Sequence, residues 1–430
     1  MSAELREGFT TGSAATGAAL AALQMLRTKR APASIRVPLP PFDGGRQQSD
    51  TAAPAPRGWL QLDVANCGPG PAPELAAAWA SGSAGLADAP PRGIIAIAHA
   101  SIIKDGGDDP DATSGARITA TVVESLAHCH GDAPGTAACA GTAWGMDAAS
   151  AAQSHAPVAH TEHIIIKGGP GVGRVTLPGL PVPVGQAAIN PVPRQQITFA
   201  LHAQEQEYAA EAQARTRLTV FVSVPEGARL ARKTFNPRLG IEGGISILGT
   251  QGTVRPFSHD AWKATIEQGL TVARATGCRS ACLTTGRRSE RLLMERCPDL
   301  PEQCFVQVAD FAQFSLQAAG NMHFERIIWG CFFGKLVKLA QGHAYTHAKD
   351  STLDMQALAQ LANSAGADCA DAIAASITAA HALELLLADR HGATVIAQVA
   401  HQAARTAQLF AGRPVSLHLF HTDGRELLAL

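Results

Sequence analysis

The sequence predicts two domains, an N-terminal mixed α+β domain over residues 1–235 and a C-terminal α/β domain over residues 236–430. The chain has 430 residues, more than one ordinary core accommodates. Beyond Ser258, apolar runs of strand length alternate with helical patterns. This alternation is typical of a parallel sheet with helices on both faces. We therefore expect the C-terminal domain to be Rossmann-like, with three layers.

Composition excludes several classes of protein. The formal net charge of −1 provides no basic excess for a nucleic-acid backbone, so no nucleic-acid partner is expected. We find no signal peptide and no apolar run long enough to cross a bilayer, and we expect a cytoplasmic protein without a membrane partner. The nine cysteines show no CxxC spacing and are expected to be reduced thiols. No metal site is expected, including at Cys278 and Cys282.

The N-terminal half begins with Gly8-Phe-Thr-Thr-Gly12, and small and apolar residues then predict a helix as far as about Arg27. The free amides at the start of this helix could bind a phosphate or carboxylate, or the hydroxyls could simply cap it. Further along, alternation predicts strands at 58–66, 117–123 and 218–224, and an apolar run predicts a buried strand at 94–103. Residues 195–214 are helix-like. Stretches without periodicity, expected to be loops or insertions, lie near 38–58, 68–92 and 129–160.

An acidic loop, Lys104-Asp-Gly-Gly-Asp-Asp-Pro-Asp-Ala-Thr113, follows the strand at 94–103. Its carboxylates suit a metal loop, an amine- or ribose-binding loop, a proton-transfer site or a solvated turn. The spacing does not match the calcium loop of a helix-loop-helix site.

Two glycine-rich segments follow. Residues 164–180 superficially resemble a dinucleotide-binding loop, but Arg174 stands where glycine is needed and Pro178 forbids a long helix. Residues 233–256 contain five glycines among hydroxyl and amide side chains, so many main-chain amides could face a ligand. The alternative is a chain of turns that joins the two domains near residue 235.

The C-terminal half is expected to place ligands in the loops after its strands, as parallel sheets do. These loops contain residues 284–290, Asp310 and residues 334–347. The pattern predicts strands at 279–284, 304–308 and 326–331, helices up to 275, at 289–296 and at 310–319, helical structure over 355–407, and a final edge strand at 415–420.

Five motifs together resemble the cobalt-precorrin-5B C(1)-methyltransferase family of anaerobic cobalamin biosynthesis. They are Gly8-Phe-Thr-Thr-Gly12, the acidic loop, Gly168-Gly-Pro-Gly-Val-Gly-Arg-Val-Thr-Leu-Pro-Gly-Leu180, Ala188-Ile-Asn-Pro-Val-Pro-Arg194 and residues 233–256, and Gly334-Lys-Leu-Val-Lys-Leu-Ala-Gln-Gly-His343 with Thr346 and His347 extends the match. The resemblance covers most of the chain in the family's order. It implies transfer of a methyl group from S-adenosylmethionine to carbon 1 of cobalt-precorrin-5B, a tetrapyrrole, to give cobalt-precorrin-6A.

Some positions depart from the family pattern. Ser13 and Ala14 stand where Thr and Cys are usual, and Gly106 stands where Ala is usual. The insertion at 129–160 is also longer. A thiol nucleophile at position 14 is therefore untenable.

The residue chemistry is compatible with this reaction, which chiefly requires alignment of an activated methyl group with a ring carbon. Side chains expected to bind the substrate and its carboxylates are Thr10, Thr11, Lys104, Arg194, Lys233, Arg238, Lys335 and Lys338. Residues expected to hold the donor, with Glu242 or Asp310 on its ribose, are Asn236, Gly240, Glu242, Gly243, Gly244, Ser246, Gly249, Thr250 and Asp310. Candidates for the proton acceptor are Asp105, Asp108 and His347, with His343 as a further possibility.

Two other functions remain open from the residues alone. The alternation of strands and helices allows a nicotinamide-dependent oxidoreductase, although the failed glycine spacing opposes it. The basic residues and histidines allow a non-catalytic tetrapyrrole-binding protein. Cobalt is expected to arrive only as part of the substrate, and an apolar face on the C-terminal helices suggests a homo-oligomer.

Overall fold

The computed structural model describes residues 5–42, 55–82, 89–126, 163–208 and 216–430. The chain divides into two compact units, each combining helices with sheets, which confirms the mixed α/β class. The first unit comprises Met1–Arg174, Gly185–Asn236 and Ile241–Pro256, and the second comprises Val175–Val184, Pro237–Gly240 and Phe257–Leu430. The predicted insertion at 129–160 and most of the loop at 38–58 lie outside the described residues. Within the described ranges, no helix is both long and apolar enough to cross a membrane.

The first unit is built around one long buried helix and a five-stranded sheet. Its helices are α1 (Thr11–Thr28), α2 (Pro73–Ala80), α3 (Pro191–Tyr208) and α4 (Gly227–Ala231). Its strands are β1 (Gly8–Phe9), β2 (Ser34–Leu39), β3 (Gly58–Asp63), β4 (Asn66–Pro69), β5 (Ile94–Ile103), β6 (Arg117–Leu126), β7 (Ile164–Gly168), β8 (Arg174–Val175), which crosses into the second unit, β9 (Thr216–Ser223), β10 (Ile241–Glu242) and β11 (Thr253–Val254).

The five-stranded sheet has the order β4-β5-β6-β9-β7 and is antiparallel except between β7 and β9. Helix α1 packs against β5 and β6, where small alternating side chains such as Ala98, Ala100 and Ala120 let the helix approach closely. Strands β2 and β3 form a separate antiparallel pair. The strand predicted at 94–103 matches β5, and α3 begins four residues before the predicted helix at 195.

The second unit contains the predicted alternation of strands and helices. Its helices are α5 (His259–Ala275), α6 (Arg287–Arg296), α7 (Ala312–Asn321), α8 (Phe333–Ala340), α9 (Met355–Ser364), α10 (Ala370–Ala374), α11 (Ala379–Ala388) and α12 (Gly392–Ala411). Its strands are β12 (Ser280–Thr284), β13 (Phe305–Gln307), β14 (Arg326–Phe332), β15 (Val415–Phe420) and β16 (Glu426–Ala429). The helical region predicted over 355–407 is therefore divided among α9 to α12.

The sheet of the second unit has the order β13-β12-β14-β15-β16, with parallel pairing up to β15. The expectation that residues 415–420 form an edge strand is wrong, because β16 pairs antiparallel with β15 and takes the edge. A tight turn reverses the chain between them, with Gly424 at a φ of 103° and the amide of His421 donating to the carbonyl of Arg425 at 2.8 Å.

The strand order reverses its direction between β12 and β14. From β12 the chain proceeds to β13 on one side, whereas β14 lies on the other side of β12 and leads to β15. Such a switch point leaves a crevice outside the carboxyl ends of the two central strands, where ligands of open parallel sheets bind. A ligand site in this unit is therefore expected in the loops after β12 and β14.

Candidate functional site

A cleft of about 550 Å³ lies at this switch point. It is lined by residues 285–289 after β12, by Phe332, Gly334, Lys335 and Lys338 after β14, and by Ala348 and Leu353. All of these residues belong to the second unit. Four of the lining side chains are cationic and none is acidic, so the cleft favours an anionic group.

Two of the cationic residues meet in a network around Thr346. The ammonium of Lys335 donates to the carboxylate of Asp310 and to the main-chain oxygen of Thr346, at 2.9 Å for the latter. Lys338 donates to the same oxygen at 3.0 Å, and the Thr346 hydroxyl donates to Asp310 Oδ1 at 3.2 Å. Lys335, Lys338 and Asp310, all predicted from the sequence, thus lie together.

The network contains one carboxylate for two ammonium groups. Lys338 is only 7% exposed. Its burial, and next the charge of Lys335, lower the pKa of Lys338 below the usual value for a lysine. A negatively charged ligand in the cleft would relieve this unfavourable concentration of positive charge.

His347 follows the network directly along the chain. Its Nδ1 lies 3.0 Å from Asp350 Oδ2, and its main-chain oxygen accepts hydrogen bonds from the amide and hydroxyl of Ser351. The neighbouring Tyr345 hydroxyl lies 3.2 Å from His259 Nε2. Sequence reasoning named His347 but missed Asp350, for which the only signal is the separation of three residues on a turn.

Arg238 and Gly240 lie in a short segment assigned to the second unit. The Arg238 guanidinium donates to both carboxylate oxygens of Glu290, with Nη2 to Oε2 at 3.2 Å, and its Nε lies 3.3 Å from Glu302 Oε1. The amide of Gly240 donates to the carbonyl of Pro237 at 3.1 Å. The charge of Arg238, predicted to bind substrate, is therefore already neutralised.

In the first unit, the acidic loop packs against the segment that precedes α1. Arg6 donates through its guanidinium to the carboxylate of Asp105 and through its amide to Asp108 Oδ2 at 2.7 Å. The bond from Arg6, followed by a bond from the amide of Gly107, lowers the pKa of Asp105. This carboxylate is held in its ionised form, which makes it a weak proton acceptor.

The threonines at the start of α1 are buried and bonded within the unit. Thr10 caps the helix by accepting from the amide of Ser13, as the sequence suggested. The Thr11 hydroxyl accepts from the amide of Leu248 at 2.9 Å, and the amide of Gly12 donates to the carbonyl of Leu248 at 3.1 Å. The amide of Gly12 is therefore used by the protein itself.

The predicted donor segment divides into a buried part and an exposed part. The Asn236 side-chain amide donates to the carbonyl of Gly244 at 3.4 Å, and the Ser246 hydroxyl donates to Asn236 Oδ1 at 3.4 Å. A Cβ added to Gly244 would collide with the carbonyl of Gly171, so the two glycine-rich segments touch backbone to backbone. In contrast, Glu242, Gly243 and Thr250 are exposed, and Gly249 is half-buried.

The remaining predicted basic residues of this unit differ in their surroundings. Arg194 donates to the carbonyls of Ile189, Ile166 and Ala187 at 2.9, 3.0 and 3.5 Å. Burial lowers the pKa of Arg194. Lys233 is exposed. Arg194 therefore braces the turn before α3, whereas Lys233 extends from the surface.

The family model CbiD matches residues 1–51 and 94–256, and the model CbiD, C-terminal domain, matches residues 345–429. The cobalt-precorrin-5B C(1)-methyltransferase of Nitratidesulfovibrio vulgaris is 45% identical over 429 residues, which cover 99% of this chain and 92% of that protein. The protein of the same name from Geobacillus kaustophilus is 39% identical over 85% of this chain and 78% of that protein.

A solved structure is also similar, a cobalamin biosynthesis protein (cbiD) from Archaeoglobus fulgidus. It is 21% identical, covers 78% of this chain and 79% of that chain, and has a TM-score of 0.33, which is too low to bear on the fold. The match to the Nitratidesulfovibrio protein, by contrast, extends along nearly the whole length of both chains. The chain therefore belongs to the CbiD family.

Proposed function

We propose that this protein is an S-adenosylmethionine-dependent C-methyltransferase that methylates carbon 1 of cobalt-precorrin-5B, giving cobalt-precorrin-6A in anaerobic cobalamin biosynthesis. The observation that carries this proposal is the 45% identity, over 99% of the chain, to a relative named for this reaction. None of the matches described above supports a nicotinamide-dependent oxidoreductase or a non-catalytic tetrapyrrole-binding protein.

S-adenosylmethionine would supply a methyl group already activated on a sulfonium. The protein then has to bind both substrates, align the methyl group with the ring carbon and accept the proton that carbon loses. Alignment alone can lower a barrier by roughly 7 to 11 kcal/mol. Neither a covalent nucleophile nor a metal held by the protein is needed for these tasks.

The methyl donor would bind along the segment from Asn236 to Thr250. Glu242 is exposed and makes no side-chain hydrogen bond or ion pair within the described residues, so its carboxylate is available for the ribose hydroxyls. Gly243 has a φ of 79° with open space around its α-carbon, which leaves room for a ligand beside the main chain. The buried Asn236, Gly244 and Ser246 would hold this exposed turn in shape.

The substrate carboxylates would be bound mainly by Lys335, Lys338 and Lys233. Lys104 and Arg238 already have carboxylate partners, in Asp111 and Glu290 respectively. A second charge on either would have to share or displace that partner. Arg194 and the threonines at the start of α1 would act mainly by keeping nearby main chain in position.

For the proton acceptor, the proposal favours His347 over Asp105 and Asp108. The carboxylate of Asp350 beside Nδ1 orients the ring and leaves Nε2 to accept a proton. Asp105, in contrast, is paired with Arg6.

We also propose that the second unit is a Rossmann-like, three-layer domain and that the domain boundary lies near residue 235. The parallel strand order and the switch point support this description of the sheet. After residue 235 the chain enters the second unit at Pro237–Gly240, returns to the first unit over Ile241–Pro256, and continues in the second unit from Phe257 onward.

The test is incubation of the purified protein with cobalt-precorrin-5B and methyl-labelled S-adenosylmethionine. We expect the tetrapyrrole to gain one labelled methyl group as S-adenosylhomocysteine is released in equal amount, with no requirement for NADP. Reactions without protein, and reactions with NADP in place of the donor, serve as controls. A folded protein that binds the tetrapyrrole but never transfers the label would contradict the proposal.

A further inference from the structure

The cleft at the switch point has two independent features that favour a small anionic group. Its first wall is the start of α6, a helix of ten residues whose capping position is Gly286. No side chain caps this end, so the main-chain amides of the first turn carry the positive end of the helix dipole without a carboxylate or hydroxyl from the cap.

Another part of the cleft wall contains Lys335 and Lys338 from α8. Asp310 is the carboxylate of their network, and Lys335 holds it directly. Lys338 uses its ammonium for a main-chain oxygen, which neutralises no charge. A buried ammonium without its own counter-ion is costly, so its position at the edge of a cleft points to a counter-ion supplied from outside.

The size of the cleft and the chemistry of the reaction limit which ligands could bind there. A volume of about 550 Å³ lies in the range of small-molecule sites. Both substrates of the proposed reaction carry carboxylates, the donor on its methionine end and the macrocycle on its acetate and propionate arms, and neither carries a phosphate. A carboxylate is therefore the anion to expect.

We propose that the switch-point cleft binds a substrate carboxylate between the first turn of α6 and the ammonium groups of Lys335 and Lys338. This proposal rests on the proposed function for the identity of the ligand. The carboxylate accepts hydrogen bonds from the main-chain amides after Gly286 on one side and from Lys338 on the other. The cleft would thus anchor a substrate by one end.

Two substitutions test the two walls separately. Lys338→Met removes the buried charge but keeps the volume of the side chain. Gly286→Asp places a carboxylate at the cap of α6, where space is open and the backbone is extended. The second change should stabilise the helix slightly while it competes with the ligand, so a loss of binding cannot be ascribed to unfolding. The matched control is Arg291→Gln, on the same helix but outside the cleft lining.

Binding is measured by calorimetry with three probes that require no turnover. S-adenosylhomocysteine carries the amino-acid carboxylate, 5′-methylthioadenosine lacks it, and uroporphyrin is a macrocycle with acetate and propionate arms. The KM values for donor and macrocycle are measured in the labelled-methyl assay. We expect both variants to weaken the binding of one carboxylate ligand by about 10- to 100-fold. The control Arg291→Gln should change the Kd less than twofold.

The outcomes distinguish the two sources of carboxylate. Weaker binding of S-adenosylhomocysteine, with 5′-methylthioadenosine unchanged, assigns the cleft to the donor, and weaker uroporphyrin binding or a raised macrocycle KM assigns it to the tetrapyrrole. If the wild type methylates its substrate and both variants retain all Kd and KM values, the cleft proposal is overturned and the methyltransferase stands. A wild type that binds the probes through the cleft but transfers no methyl group would instead refute the proposed function.

Discussion

Lys104, which is 2% exposed, donates its ammonium to the carboxylate of Asp111 seven residues further along the same loop. The other oxygen of Asp111 accepts from the amide and the hydroxyl of Thr113, both at 2.7 Å. The acidic loop therefore contains its own buried counter-ion, and at least one of its carboxylates is structural.

Replacement of Asp111 by Asn should destabilise the protein strongly. The change leaves the ammonium of Lys104 buried without a charged partner, which typically costs about 3 kcal/mol in the free energy of unfolding. Urea unfolding at pH 7 measures the loss. Asp63→Asn, which changes an exposed carboxylate at the end of β3, should stay within about 0.5 kcal/mol of the wild type. Equal urea midpoints for wild type and Asp111→Asn would show that Lys104 finds another partner.

Stability should also depend on pH through this loop. Burial raises the pKa of Asp111, but the charge of Lys104 and the bonds from Lys104 and Thr113 outweigh it, so that the pKa is lowered overall. The stabilisation is therefore present above the unfolded pKa of about 3.9 and is lost as the pH falls through the folded pKa. Urea unfolding from pH 6 to pH 2 should show a steeper loss below about pH 4 in the wild type than in Asp111→Asn. Parallel curves would mean that other carboxylates dominate acid unfolding.

Loss of the imidazole of His347 should slow methyl transfer more than loss of the carboxylate of Asp105. We expect His347→Gln to lower kcat by about 100-fold, as removal of a general base does, and Asp350→Asn to lower it less. Asp105→Asn should chiefly weaken the contact with Arg6. The labelled-methyl assay under saturating substrates gives kcat for these three variants and for Asp108→Asn. Full activity in His347→Gln together with a large loss of activity in Asp108→Asn would indicate that the proton acceptor lies in the acidic loop.

Substitutions at two adjacent glycines, Gly243 and Gly244, distinguish an effect on donor binding from an effect on folding. Gly243→Ala should cost about 1 kcal/mol in stability, because its φ of 79° is unfavourable for alanine although the site is open. Gly244→Ala should cost more, because the new methyl group collides with the carbonyl of Gly171. Thermal unfolding and S-adenosylhomocysteine titrations measure both effects. Unchanged donor affinity in a folded Gly243→Val variant would show that the donor does not bind at this segment.

The role of Arg194 can be tested by Arg194→Lys. A lysine keeps the charge but cannot reach the three carbonyls that the guanidinium contacts, so we expect a loss of about 2 kcal/mol in stability. If the residue only braces main chain, the KM for the macrocycle should stay within twofold at a temperature where the variant is folded. A tenfold rise in KM without a loss of stability would instead support direct contact with substrate.

The sequence alone predicts much of the secondary structure. The apolar run predicted as a buried strand at 94–103 corresponds to β5, and the strands predicted near 280, 305 and 326 correspond to β12, β13 and β14. Such patterns are local, since they record which side of a segment is buried. The same locality explains why the edge strand β16 was missed, because a strand of only four residues after a turn gives little periodic signal.

Local patterns also allow family motifs to be identified, and thereby the family, but not the contacts that give each motif residue its environment. The glycines of residues 233–256 could equally have faced a ligand or packed on other main chain. Only the tertiary structure distinguishes Gly244, which touches Gly171, from Gly243, which lies open at the surface.

What the sequence by itself determined is therefore the order of strands and helices, the family and the types of side chain available for chemistry. What only the tertiary structure decided is which charges already have counter-ions, and that the ammonium of Lys338 lies beside a cleft without a counter-ion of its own. Asp310, Lys335 and Thr346 come together because β13 and β14 lie on opposite sides of β12 in one parallel sheet. Strand order is a property of the whole sheet, and it cannot be read from the periodicity of any one segment.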